Sequence, residues 1–138
     1  MTSALKHLRW GRGMKKRILV VDDSNVVLAM ASNALQASGY EVFTAVNGIE
    51  ANGYLFRQDP PDAIVLDIMI PLLKGDKVAK LIKQNRHIKD IPILLISSKP
   101  EEELGKMAVD SGADGVLQKP FTGVGLVQKV EEVMRSRR

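Results

Sequence analysis

From Arg17 onward, short apolar runs rich in β-branched residues alternate with stretches whose apolar residues recur at three- and four-residue spacing. The runs at Ile18–Val21, Val42–Ala45, Ala63–Leu66, Ile91–Ile96 and Val116–Leu117 predict five strands. Those at 18–21, 63–66 and 91–96 are nearly continuous, as expected of strands buried on both faces of a parallel sheet. The intervening stretches predict helices. Ser24 suits a cap for a helix carrying Val27, Met30, Ala31, Ala34 and Leu35, with Gly39 at its C-terminal end. Residues 75–86 place Val78, Leu81 and Ile82 on one face, and 101–111 place Leu104, Met107 and Ala108 together before Gly112. After Thr122, Leu126, Val127, Val130, Val133 and Met134 form a clear apolar stripe. Residues 48–57 read as helical too, but Asn52-Gly53 makes this the weakest element.

The alternation predicts an α/β fold, (βα)₅, with right-handed crossovers placing helices on both faces of one parallel sheet. Residues 1–16 lack such periodicity and read as a flexible basic leader. The folded unit is expected over 17–135, with a short basic end at 136–138.

Composition narrows the class. The 138 residues suit one domain, and the 45% hydrophobic and 26% charged content is that of a globular chain. Cysteine is absent, which excludes disulfides and thiolate metal sites. No apolar run is long enough to span a bilayer and no secretory signal is evident, so no membrane insertion and a cytoplasmic location are expected. The net charge of +4 is concentrated at the ends, in Lys6, Arg9, Arg12, Lys15, Lys16, Arg17, Arg135, Arg137 and Arg138. Residues 18–134 hold eleven basic and sixteen acidic residues, a net of −5. A nucleic-acid-binding core is therefore not expected.

In such a sheet, function collects beyond the carboxyl ends of the strands. There the sequence places Asp22-Asp23, Asp67, Ser97-Ser98 and Lys119-Pro120. Three carboxylates in one pocket repel, and a hard dication such as Mg²⁺ relieves that repulsion. A carboxylate also serves as a nucleophile toward phosphorus, with Lys119 and the Ser97 hydroxyl available to neutralise and position the group. Taken singly, each residue has an ordinary structural reading: Asp22-Asp23 and Ser97 as helix caps, Asp67 as a turn residue before Pro71, Lys119 as a solvated cation. Their convergence on one edge is what points to a phosphoacceptor site.

The segments Ile18-Leu-Val-Val-Asp-Asp-Ser24, Asp67-Ile-Met-Ile-Pro71 with Gly75, Ile93-Leu-Leu-Ile-Ser-Ser98 and Gly112-Ala-Asp-Gly-Val-Leu-Gln-Lys-Pro-Phe121 closely resemble the receiver domain of two-component response regulators. The resemblance covers about residues 16–135 and is nearest the single-domain, chemotaxis-regulator type. It implies a flavodoxin-like, doubly wound sheet in the order 2-1-3-4-5. By position it implies Asp67 as phosphoacceptor, Asp23 as direct Mg²⁺ ligand, Asp22 as a water-mediated one, and the Met69 backbone carbonyl completing the set. Ser97 matches the hydroxyl that bonds the phosphoryl group, Lys119 matches its cationic partner, and Lys119-Pro120 matches a cis peptide. The implied partner is a sensor histidine kinase or a histidine phosphotransfer protein, in a phosphorelay.

Two positions depart from the family pattern. Val116 stands where an aromatic residue usually reports the state of the site, which implies a weak or rewired output. Met69 offers no group to orient an attacking water, which implies slow self-dephosphorylation. A lysine row on the helix after Asp67 (Lys74, Lys77, Lys80, Lys83, then Arg86) reads as a solvated face, with docking to an acidic partner as the lesser reading. The chain ends at Arg138, just after the last helix, so a stand-alone switch without a fused output domain is expected, as a monomer or weak dimer. The competing readings are a phosphorylation-independent docking module on the same fold and, less favoured, an aspartate-nucleophile phosphatase. Enzymatic turnover is not expected.

Overall fold

A computed structural model describes residues 15–136. Most of the expected leader (1–14) and Arg137-Arg138 lie outside the described residues. Five strands form one sheet: β1 (Arg17–Val21), β2 (Glu41–Ala45), β3 (Ala63–Asp67), β4 (Ile93–Ser97) and β5 (Gly115–Gln118). Five helices alternate with them: α1 (Asn25–Ala37), α2 (Gly48–Leu55), α3 (Gly75–Lys83), α4 (Glu101–Ser111) and α5 (Gly123–Arg135). Every pairing is parallel and the order is β2-β1-β3-β4-β5, as expected.

The pleat sorts each strand's side chains onto two cores. Leu19, Val21, Ile64, Leu66, Ile93 and Leu95 pack with Ala51 and Leu55 of α2, Val78 and Ile82 of α3, and Leu104 of α4. Ile18, Val20, Val65, Leu94 and Ile96 point the other way, onto Leu28 and Leu35 of α1 and Leu126 and Val130 of α5. Hence β3 and β4 are buried at every position, while β5 at the edge is only half buried.

Several boundaries differ from the sequence expectation. The run from Ile91 enters the sheet only at Ile93, because Pro92 has no N–H to donate to the ladder. Asp114 fixes this start, its carboxylate accepting from Ile93 N–H at 2.8 Å while Lys83 Nζ lies 3.2 Å away. Helix α3 stops at Lys83 rather than 86, and its Leu81 is 56% exposed instead of facing the core. The weak helix α2 does form, because Asn47 Oδ1 accepts from Glu50 N–H and Glu50 Oε1 accepts from Val46 N–H, a reciprocal cap. Gly112 closes α4 at φ 82, where a side chain would be strained.

Candidate functional site

Strands β1, β3, β4 and β5 end side by side, and the polar residues that follow them meet on that edge. Asp22 is fully buried: Oδ1 accepts from Ser24 N–H at 2.9 Å, and Oδ2 accepts from Lys119 Nζ at 2.7 Å. The same ammonium lies 3.4 Å from Asp67 Oδ2, while Asp67 Oδ1 accepts from Met69 N–H at 3.2 Å. Asp23 is exposed, yet it can bring a carboxylate oxygen within 4.8 Å of one from each of Asp22 and Asp67. Ser97 is buried, and its Oγ accepts from Lys99 N–H at 3.1 Å within its own loop. Met69 directs its side chain outward, 52% exposed.

Lys119 reaches the two aspartates because of how β5 ends. Its N–H donates to Ser97 O at 2.8 Å, and the Lys119-Pro120 peptide is cis, as expected. The sequence reading assigned no role to Gln118 and gave Gly75 only as part of the motif after Asp67. Gln118 Nε2 donates to Lys99 O at 3.0 Å, tying the loop after β4 to β5. Nothing in the sequence marks that residue beyond its place before Lys119. Gly75 packs against the backbone of the phosphoacceptor candidate: an added Cβ would lie 2.1 Å from Asp67 O. Its N–H donates to Ile68 O at 2.9 Å, stapling the β3–α3 loop shut. Val116, where an aromatic was implied, is half buried against the α2–α3–α4 core.

Three carboxylates and one ammonium leave a formal excess of two negative charges in a largely buried pocket. Burial raises the pKa of Asp67 and the charge of Asp22 raises it further, against the Met69 N–H and Lys119. Burial by itself lowers the Lys119 pKa, but the hydrogen bond to Asp22 and the charges of Asp67 and Asp22 outweigh it, and the net shift is upward. The donor set fits Mg²⁺: three carboxylates whose oxygens lie within 4.8 Å of one another, with the Lys119 ammonium offsetting one of their three charges. No helix among the described residues is long and apolar enough to cross a membrane.

Residues 18–131 match the family described as "Response regulator receiver domain". Among curated proteins, the chain is 37% identical over 122 residues to the alkaline phosphatase synthesis transcriptional regulatory protein PhoP of Bacillus subtilis, covering 88% of this chain and 50% of that protein. It is 39% identical over 121 residues to the transcriptional regulatory protein PrrA of Mycobacterium tuberculosis, covering 88% and 51%. The chain thus spans about half the length of the curated relatives it matches. Among solved structures, the chemotaxis response regulator CheY4 of Vibrio cholerae superposes with a TM-score of 0.81 at 32% identity, covering 87% of this chain and 99% of that one.

Proposed function

The chain belongs to the receiver domains of two-component response regulators, and on that premise we propose that Asp67 is its phosphoacceptor and that Mg²⁺ assists the transfer. The observation that carries this reading is the buried cluster in which Lys119 Nζ contacts both Asp22 and Asp67. A carboxylate oxygen of Asp67 attacks the phosphorus of a phosphohistidine. A P–O bond forms, the P–N bond breaks, and the electron pair leaves with the imidazole. Lys119 balances charge on the transferred group, and the Ser97 hydroxyl, whose oxygen accepts from Lys99 N–H, donates its own proton to a phosphoryl oxygen. Asp22, Asp23, Asp67 and the Met69 carbonyl would hold the metal, which when bound neutralises phosphoryl oxygens.

The donor is a sensor histidine kinase or a histidine phosphotransfer protein, and the chain works in the cytoplasm. Residues 17–135 act as the receiver unit, flanked by the basic ends. Release from Asp67 is slow, since Met69 cannot orient water, so the protein is a switch rather than a turnover enzyme. Val116 supports a second reading, a docking module indifferent to phosphorylation, because a small stiff side chain cannot swing between buried and exposed states. Incubation with Mg²⁺ and acetyl phosphate, followed by intact mass spectrometry beside Asp67→Asn, separates the two. A gain of one phosphoryl group (about 80 Da from atomic masses) in the wild type alone is expected. No gain from acetyl phosphate or from a phosphohistidine donor overturns the first reading.

A further inference from the structure

Between α2 and α3 lies a groove of about 590 Å³ whose lining contains no charged side chain. Its walls carry most of the large apolar residues that the described surface exposes: Ile49 (69%), Phe56 (57%), Leu72 (70%), Leu73 (39%) and Leu81 (56%). Apolar residues scattered singly on a surface need no explanation, but a contiguous set around a recess marks a binding surface.

A second observation is independent of exposure. Leu72 has φ 75, in the left-handed region that a branched side chain occupies at a cost. Glycine would sit there without strain. The strained backbone instead presents a leucine to solvent at the mouth of the groove. Strain of this kind persists where the surroundings over-determine it, and its neighbours do so here: Gly75 N–H is bonded to Ile68 O and Leu73 N–H to Pro71 O.

Charge selects the occupant. On the α3 edge, exposed Lys74 adjoins Leu73. Lys77, one turn before Leu81, stands on the ridge between this groove and the α3–α4 crevice. Of the acids nearest in sequence, Glu50 is turned into the α2 cap and Asp76 lines the α3–α4 crevice, while exposed Asp90, two residues beyond Ile88, directly follows exposed Lys89. We propose that this groove docks an amphipathic helix of a partner protein whose apolar stripe is flanked by acidic residues. An apolar groove lined from α2, the β3–α3 loop and α3 suits the i, i+3, i+4, i+7 anchors of such a helix. A second copy does not supply it: α4, the acidic helix of this chain, buries Leu104 and Ala108 and leaves Val109 as its exposed apolar residue. A lipid surface favours a convex apolar face over a recess.

The test uses the full isotope-labelled chain, an 18-residue synthetic helix with leucines at that spacing flanked by glutamates, and a twin with lysines in their place. The acidic peptide is expected to shift amides within residues 48–56 and 72–88. Leu72→Gly, which relieves the backbone and keeps the fold, weakens binding about tenfold or more, the worth of burying one leucine. Lys74→Glu with Lys77→Glu weakens the acidic peptide and favours its twin. Equal binding of both peptides to the wild type, or no groove shifts at millimolar acidic peptide, overturns the proposal. So do groove shifts that appear only with phosphatidylglycerol-containing vesicles, and shifts that grow with protein concentration alone.

Discussion

Gly75→Ala tests whether the β3–α3 loop positions Asp67 or merely follows it. A Cβ at residue 75 would lie 2.1 Å from Asp67 O, 2.8 Å from Asp67 C and 2.9 Å from Ile68 Cα. All three are backbone atoms, so no side-chain rotation relieves the contact. Reaching even a tight 3.0 Å requires Gly75 and Asp67 O to part by about 0.9 Å. That movement also strains the 2.9 Å bond from Gly75 N–H to Ile68 O. Overpacking costs about 1–3 kcal/mol and a weakened hydrogen bond about 1 more, so a loss of about 2–4 kcal/mol in urea unfolding is expected. A displacement near 1 Å at a reacting group slows chemistry about 10²-fold, so phosphorylation by acetyl phosphate should fall by about that factor. Gly53→Ala is the control. It lies in α2 with nothing within 4 Å of the added Cβ, and should gain about 0.5–1 kcal/mol. An unchanged midpoint and rate in Gly75→Ala would refute the argument.

Other expectations follow from the same geometry. Lys119→Met strands the fully buried Asp22 without its 2.7 Å partner and should cost about 3–5 kcal/mol, with Asp22→Asn in the same chain recovering at least half of it in denaturant melts. Burial and Asp22 raise the Asp67 pKa, so its charge opposes folding at neutral pH. Asp67→Asn should therefore raise stability by about 0.5–2 kcal/mol at pH 7, and that advantage should shrink as pH falls through the folded-state pKa, which a pH series of melts reads directly. Mg²⁺ at ten times its Kd should stabilise the wild type by about 1.4 kcal/mol and Asp23→Asn much less, seen as a thermal shift. Tyr40 is pushed up to about 12 by burial and by its 3.0 Å hydrogen bond to Glu131. Between the ordinary tyrosine value near 10 and that point, the unfolded chain ionises first and stability falls as pH rises, by under about 1 kcal/mol once solvent screening is allowed for. In Tyr54→Phe, where Tyr40 is the remaining tyrosine, the absorbance titration should move down on adding Glu131→Gln.

The proposed phosphorylation of Asp67 and the proposed docking in the α2–α3 groove would use different atoms of one loop. The loop from Ile68 to Lys74 begins beside Asp67 and carries the groove residues Leu72 and Leu73, and Gly75 fastens it through its bond to Ile68 O. A charge change at Asp67 is therefore two residues from Met69 N–H and five from the strained Leu72. With Val116 in place of an aromatic, this loop offers a short covalent route from Asp67 to the exposed apolar groove.

The sequence alone determined the sheet and the edge where the polar residues gather. Continuous apolar runs at β1, β3 and β4 reflect burial on both faces, and a residue directly after such a run has to emerge at the strand's carboxyl end. Asp22, Asp67, Ser97 and Lys119 were legible for that reason. The cap that Asn47 and Glu50 place on α2 was not read from the sequence, where Asn52-Gly53 made this helix the weakest expectation. Tertiary structure alone decided the rest, because those features depend on neighbours distant in the chain. Leu81 fits the helical period of α3 but faces the groove, since α2 leaves that side uncovered. Lys119 is 97 residues from Asp22, and nothing local distinguishes a buried ion pair from a solvated lysine. Gly75 belongs to the motif that carries the resemblance, but why a glycine is needed there shows only when its missing Cβ is measured against Asp67 O. Periodicity records which way a side chain points, while contact and charge compensation depend on what the fold brings opposite it.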